Sequence, residues 1–432
     1  MTVGLLDQLP RFSEYDPGAV GEGSLDPLGL GAVAERIADR LAPGLRARMS
    51  HPRFVTISAV GAFACQGLQG VVSSDEKTTF DIAFEWLVVE SLVRFPGTDR
   101  LRGVPGSQKA QRAAKLKQRM NAAAYLAGPR NFGFTGVYRP FSQDALVLAV
   151  NGMPAENAEE LLLAWEADQG LDGFVSGGPG SLPGAGLRRE IAKDCADALS
   201  KGRCSAPPTG WFMRRLADVS APGEAGRRER AVLRHLIARS RHEVRDELTA
   251  LLSGSLPAKD TTQLDIARIL LARSRGATRD ALHAAIEFEN CATAIDNTFR
   301  RMLAYGTSFG GAFTVTQGAA TPRLAELATR LGGLTRSAID AVARLDEALA
   351  HETVDCMRNF DHSMAAERFV EALVARHQQV QDAKGKRMWL DPLKQKWVVR
   401  APYRKQDPNP RDEEWTHPMR LLTLVSFLRA TA

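Results

Sequence analysis

Apolar residues recur at helical spacing over most of the chain and alternate almost nowhere. Leu30, Val33, Ile37 and Leu41 fall three or four residues apart, the spacing that puts side chains on one face of an α-helix. Ser24-Leu25-Asp26-Pro27 supplies capping oxygens ahead of them and Pro43-Gly44 stops the helix behind them. His51-Pro52 opens a second apolar stretch to about Leu68, and a long helix from Asp75 to about Phe95 carries Phe80, Phe84, Leu87, Val88 and Leu92 before Pro96-Gly97. Residues 25–100 therefore read as a helical N-terminal domain. Residues 1–24, with their Pro, Gly and acidic side chains and little periodicity, read as an extended arm.

Further along, residues 227–252, 261–273 and 278–305 read as consecutive helices. After a Gly-rich turn, helical character resumes at Pro322 and runs through residues 335–383 with a break near Asn359, a length that predicts an extended antiparallel bundle. Residues 176–186 hold five glycines and two prolines, which sustain neither a helix nor a paired strand, so a linker and domain boundary are expected there. Only residues 146–150 and 396–400 offer short β-branched runs. The expected fold is mainly α and multi-domain: a winged-helix-like unit over residues 101–175, a long-helix bundle over 187–383, and a basic aromatic segment with a closing apolar helix over 384–432.

The winged-helix expectation comes from the order of elements: a basic helix over residues 107–120, a short helix to Leu126, the Gly128-Pro129 turn, a helix over 134–143, a strand over 145–150, the Asn151-Gly152 turn and an amphipathic helix through Trp165. In such a unit the helix after the turn enters the major groove and presents Thr135, Tyr138 and Arg139, while the basic helix meets phosphates. Phe132, Phe134, Tyr138 and Phe141 read equally as core aromatics of an ordinary helical domain.

Charge sharpens this picture. The formal net charge is +6 over 432 residues, and the surplus sits in three compact segments. Lys109, Arg112, Lys115, Lys117 and Arg119 occur without an intervening acid, residues 227–245 hold seven arginines against Glu229 and Glu243, and residues 384–405 set eight cations against Asp391 alone. Clustered cations attract nucleic acid by releasing condensed counterions from its phosphates. In the last segment Lys386, Arg387, Lys394, Lys396 and Arg400 interleave with Trp389 and Trp397, a mixture suited to phosphates and exposed bases together. A β-hairpin around Asp391-Pro392, with its tryptophans packed inward, accounts for the same residues.

Catalytic signatures are scarce. There is no GxxxxGK[ST] phosphate loop, and the five cysteines form no CxxC pair and have no histidine at zinc-ligand spacing, so neither a cofactor, structural zinc nor a disulfide framework is expected. Glu289 and Asp296, two turns apart, and His351 with Asp355 could bring carboxylates and imidazole to a divalent metal if their helices met. Hydrophobic content of 44% and charged content of 25% fit a soluble globular protein, no apolar run approaches the roughly 18 residues of a membrane span, and residues 1–10 lack the features of a secretory signal, so a cytoplasmic location is expected.

Two stretches, Leu25-Asp-Pro-Leu-Gly-Leu-Gly-Ala-Val-Ala-Glu-Arg-Ile-Ala-Asp-Arg-Leu-Ala-Pro-Gly44 and His417-Pro-Met-Arg-Leu-Leu-Thr-Leu-Val-Ser-Phe-Leu428, resemble segments of uncharacterised proteins from bacterial anti-phage defence operons. That resemblance implies a partner-dependent subunit acting on or near DNA beside a separate nuclease, helicase or methyltransferase. The functional expectation is a non-catalytic subunit that binds DNA, expected to be double-stranded, together with protein partners. A metal-dependent nucleic-acid enzyme and a purely helical scaffold without nucleic-acid affinity remain as alternatives.

Overall fold

The computed structural model of the chain describes residues 26–95, 97, 101–223 and 225–432. The expected arm over residues 1–24 lies outside them, as do Ser24 and Leu25 of the expected cap. The described residues are mainly helical. In chain order they run α1 (Gly31–Leu41), α2 (Arg53–Ala64), α3 (Phe80–Arg94), α4 (Ser107–Lys115), α5 (Pro129–Phe132), α6 (Phe134–Asp144), α7 (Ala158–Gln169), α8 (Pro183–Lys201), α9 (Trp211–Ser220), α10 (Arg227–Ala238) and α11 (Glu243–Gly254). The second half has α12 (Gln263–Leu271), α13 (Gly276–Ser308), β1 (Ala312–Phe313), α14 (Val315–Ala319), α15 (Leu324–Leu345), α16 (Glu347–Met357), α17 (Ala366–Ala383), β2 (Leu390–Leu393), β3 (Lys396–Val399) and α18 (Leu421–Ala430).

Two compact units result, and neither follows the chain continuously. Residues 38–261, 272–274 and 419–432 form one, built around α3; residues 26–37, 262–271 and 275–418 form the other, built around α13. The run over residues 176–186 is therefore no boundary between units. It lies inside the α3 unit, and from Pro183 it is already the first turn of α8, because Pro at the start of a helix gives up an N–H that has no intrahelical partner anyway.

In the α3 unit, α3 is buried on every side, with its residues from Ile82 to Leu92 all inside, so it serves as the axis against which α4, α8 and α9 pack. Gly61 of α2 permits the crossing with α3, since a Cβ there would come 2.2 Å from the Phe84 ring. The helix starts five residues later than its sequence pattern suggests. Asp75 instead closes a turn, accepting hydrogen bonds from Ser73 Oγ (2.6 Å), the Lys77 and Thr78 amides (3.0 and 2.8 Å) and Thr78 Oγ1 (2.6 Å). The last helix, α18, returns to this unit and seats Phe427 on Tyr138 and Phe141.

The α13 unit is a long-helix bundle, but of the span expected for one, residues 187–383, it takes only 262–271 and 275–383; residues 187–261 fold into the α3 unit. Over 33 residues α13 lies along α15, which in turn carries α16. Asp346 caps α16 through the Leu349 amide (3.0 Å), so the pattern over residues 335–383 is broken there as well as after Met357. A small antiparallel sheet in the order β1-β3-β2 sets Phe313 opposite Trp397 and Leu390 opposite Val399. The His377 ring fastens the sheet to α17. Its Nδ1–H donates to the Pro27 carbonyl (2.9 Å), its Nε2 accepts the Trp389 amide (2.9 Å), and burial pushes its pKa down to about 4.

No second strand forms where the wing was expected. Residues 146–150 contribute only an isolated bridge between Leu148 and Pro154, held by the tight loop through Asn151-Gly152. The basic helix also stops early, at Lys115, because Lys117 adopts the left-handed conformation (φ +55°). The pattern read over residues 227–252 splits into α10 and α11, where Asp246 Oδ1 takes the Ser240 amide (2.8 Å) and turns the chain.

Candidate nucleic-acid interface

Two carboxylates of α3 decide how the segment from Val104 to Thr135 is held. Both sit on a helix with no solvent face, so each must be satisfied by hydrogen bonds within the protein. Glu85 Oε1 accepts the Tyr125 hydroxyl (2.5 Å) and its Oε2 accepts the Thr135 amide (2.8 Å). Burial drives its pKa up to about 7 in spite of these donors. Gly133 makes the approach possible, since a Cβ there would lie 1.9 Å from Glu85 Oε1. One and a half turns on, Glu90 accepts Arg119 Nε (2.6 Å) and the Met120 amide (3.0 Å), with Arg94 at 3.4 Å.

With its ends so fixed, α4 lays Ala110 and Ala113 on the core and turns Lys109, Arg112 and Lys115 to solvent, with Lys117 exposed just beyond. Among the described residues none of these four cations forms an ion pair with a carboxylate. The Met120 carbonyl accepts the Cys204 amide (2.9 Å), and Asn121 bridges Arg203, which brings exposed Arg203 beside the segment. Lys117, Gln118, Arg119, Asn121, Ala123, Ala124 and Arg203 then line an open cleft of about 490 Å³. Three cations, two amides and no acid face that space, a composition suited to phosphodiester oxygens.

The residues expected to read a groove are not at the surface. Tyr138 is fully buried; its hydroxyl accepts the Ser50 and His51 amides (2.8 and 2.9 Å), and burial raises its pKa to about 12. Thr135 is buried with its amide on Glu85, and half-buried Arg139 pairs with Asp81 at 3.2 Å. The helix cast as the groove reader is thus a core helix, because α6 spends its aromatic face on Phe54 and Phe427.

The C-terminal basic segment, which belongs to the α13 unit, forms the hairpin of β2 and β3. Trp389 is buried and stacked on Tyr403, centroids 4.5 Å apart and rings within 4° of parallel, so it cannot receive a base. Arg400 is buried too, with Nη1 on the Met388 carbonyl (3.3 Å), and Trp397 is half-buried beside β1. Lys386, Lys394 and Lys396 remain exposed, and Arg387 leans on Asp391 at 3.5 Å.

The acidic and histidine faces offered to a metal do not meet. Glu289 is fully buried and takes the His417 ring at Nδ1 (2.7 Å), the His417 amide (3.1 Å) and Thr293 Oγ1 (3.0 Å). That carboxylate raises the pKa of His417 against the opposing effect of burial. Asp296 pairs with Arg300 at 2.5 Å, Asp355 pairs with Arg358, and His351 is exposed. Among the described residues no group of three His, Cys, Asp or Glu side chains is placed to hold a metal ion.

Two surface residues escaped the sequence reading. Arg203 stands outside every cation cluster and joins the cleft through the Asn121 bridge and the adjoining Cys204–Met120 hydrogen bond. Trp211, the first residue of α9, is 65% exposed although hydropathy alone would bury it. Comparison of the chain with protein-family models, with curated proteins and with solved structures finds no match.

Proposed function

We propose that this chain is a non-catalytic nucleic-acid-binding subunit whose α4 face takes the DNA backbone, working in the cytoplasm with protein partners in a DNA-processing or anti-phage defence assembly. The observation that carries the reading is the set Lys109, Arg112, Lys115 and Lys117, solvent-facing and unpaired among the described residues, beside a cleft that no acid lines. Cations without a carboxylate partner are free to exchange counterions for phosphates, which supplies affinity without sequence reading. The location away from a bilayer agrees with the described helices, none of which is long and apolar enough to cross a membrane.

Fluorescence anisotropy of labelled DNA at low salt tests the reading directly. Lys109→Glu/Arg112→Glu is expected to weaken binding at least about tenfold, in keeping with the loss of two phosphate contacts. Lys394→Glu/Lys396→Glu, the same charge change on the hairpin, serves as the control. No binding by the wild type would remove the reading.

A further inference from the structure

The end of α3 gathers more than the α4 cleft. Glu90 holds Arg119 and the Met120 amide, and Phe95, which closes the helix, lies under the guanidinium of Arg214 with 5.1 Å from Cζ to the ring centroid. Arg214 is in the first turn of α9, one turn from Trp211, so the indole stands within about 5 Å along the helix axis of an arginine fixed at this same end of α3. Trp211 is also tied to the cleft through the chain. The segment from Arg203 to Trp211 spans no more than roughly 29 Å even fully extended, and the turn closed by the Gly210 amide on the Pro207 carbonyl (2.9 Å) shortens it.

The other tryptophans are unavailable for such a role: Trp86, Trp165, Trp389 and Trp415 are buried and Trp397 is half-buried. Trp211 carries a large π-surface into solvent next to Arg214, itself exposed. A rigid aromatic at that exposure is what base stacking uses, and neighbouring cations neutralise the phosphates between stacked bases. A paired duplex hides its base faces, whereas an unpaired strand offers them.

We infer that the partner of this site is a nucleic-acid strand with unpaired bases, its phosphates on Lys117 and Arg203 and a base stacked on Trp211. The inference rests on the nucleic-acid reading above and specifies its substrate class. The expectation of a duplex partner derived from a groove-reading helix, and that helix is buried.

The test is titration of the full chain with single-stranded and duplex oligonucleotides of one sequence, for wild type, Trp211→Ala, Trp211→Phe and Lys115→Glu/Lys117→Glu. Trp211→Ala is expected to weaken single-strand binding roughly 5- to 100-fold and leave duplex binding within about twofold, with Trp211→Phe recovering most of the loss. Single-stranded DNA should also quench the exposed part of the tryptophan emission, and Trp211→Phe should abolish that quench. Unchanged single-strand affinity and quench in Trp211→Ala, with binding still lost in the double lysine variant, would overturn the stacking inference and leave the cleft reading standing. No binding of either oligonucleotide by wild type would overturn both.

Discussion

The α4 segment and the β2–β3 hairpin carry the same kind of sequence, cations close together with few acids, and the protein treats them differently. In the hairpin the aromatic side chains turn inward: Trp389 stacks on Tyr403, its amide is held by His377, and Arg400 is buried beside them. The lysines that remain outside decorate an element anchored by apolar packing. In the α4 segment the anchors are the buried carboxylates Glu85 and Glu90, which grip Tyr125, Thr135, Arg119 and the Met120 amide, and the remaining cations are turned out with no acid beside them. A count of charges along the chain does not separate a solvated face from a phosphate-binding one; what separates them is where the partners of each cation lie.

The comparison is most exposed to attack at Trp389. Trp389→Ala empties a packed site and is expected to cost about 3–5 kcal/mol of stability by urea or thermal unfolding, with nucleic-acid affinity at the α4 face unchanged under folding conditions. A variant of normal stability that had lost affinity would reverse the roles of the two segments.

The anchors also differ in how they titrate. Glu85 has a folded pKa raised from 4.5 to about 7, so its contribution is full below the unfolded value and is lost as pH rises through about 7, a term of about 3 kcal/mol across that window. His377 behaves oppositely. Its folded pKa is depressed from 6.5 to about 4, so its contribution is present above 6.5 and is lost as pH falls through about 4. Between about pH 4.5 and 6.5 the two contributions slope in opposite directions and nearly cancel, so unfolding measured over a pH series should be nearly flat there for these groups in the wild type, whereas in Glu85→Gln stability should rise with pH across that window. An identical curve in that variant would show that Glu85 makes no such contribution.

Smaller effects sharpen the surface half of the comparison. Arg203→Glu places a carboxylate in the cleft and is expected to weaken DNA binding about tenfold while shifting stability by less than about 0.5 kcal/mol, readable by anisotropy and by thermal unfolding of the same sample. Lys394→Glu/Lys396→Glu should change affinity by no more than about twofold. A tenfold loss there would place the hairpin lysines on the nucleic acid after all.

Much of the helical framework was legible in the sequence because its signals are local. Leu30, Val33, Ile37 and Leu41 keep helical spacing and Asp26 accepts the Leu30 amide (2.9 Å), as capping residues should. The long periodic run after Pro322 does form packed helices, and its breaks fall where Asp346 caps the next helix and where residues 358–360 tighten into a 3₁₀ turn. What was not legible depends on distant partners. Tyr138 looks like a surface reader until Ser50 and His51 claim its hydroxyl, and the closing helix, apolar enough to be expected in a core, does not show in its own sequence that Phe427 meets Tyr138. Arg203 enters the cleft through its bridge to Asn121 and the adjoining Cys204–Met120 hydrogen bond, contacts between residues far apart in sequence. The same holds for the glycine-rich run over residues 176–186, whose composition is that of a linker but whose Pro183 starts α8.

The most direct test of the central claim is the salt dependence of DNA affinity for wild type and for Lys115→Glu/Lys117→Glu. If the α4 face binds phosphates, log K should fall linearly with log salt, and the double substitution should flatten the slope by about 1.4–1.8, the contribution of two neutralised phosphates. Equal slopes for the two proteins, or affinity indifferent to salt, would contradict the account.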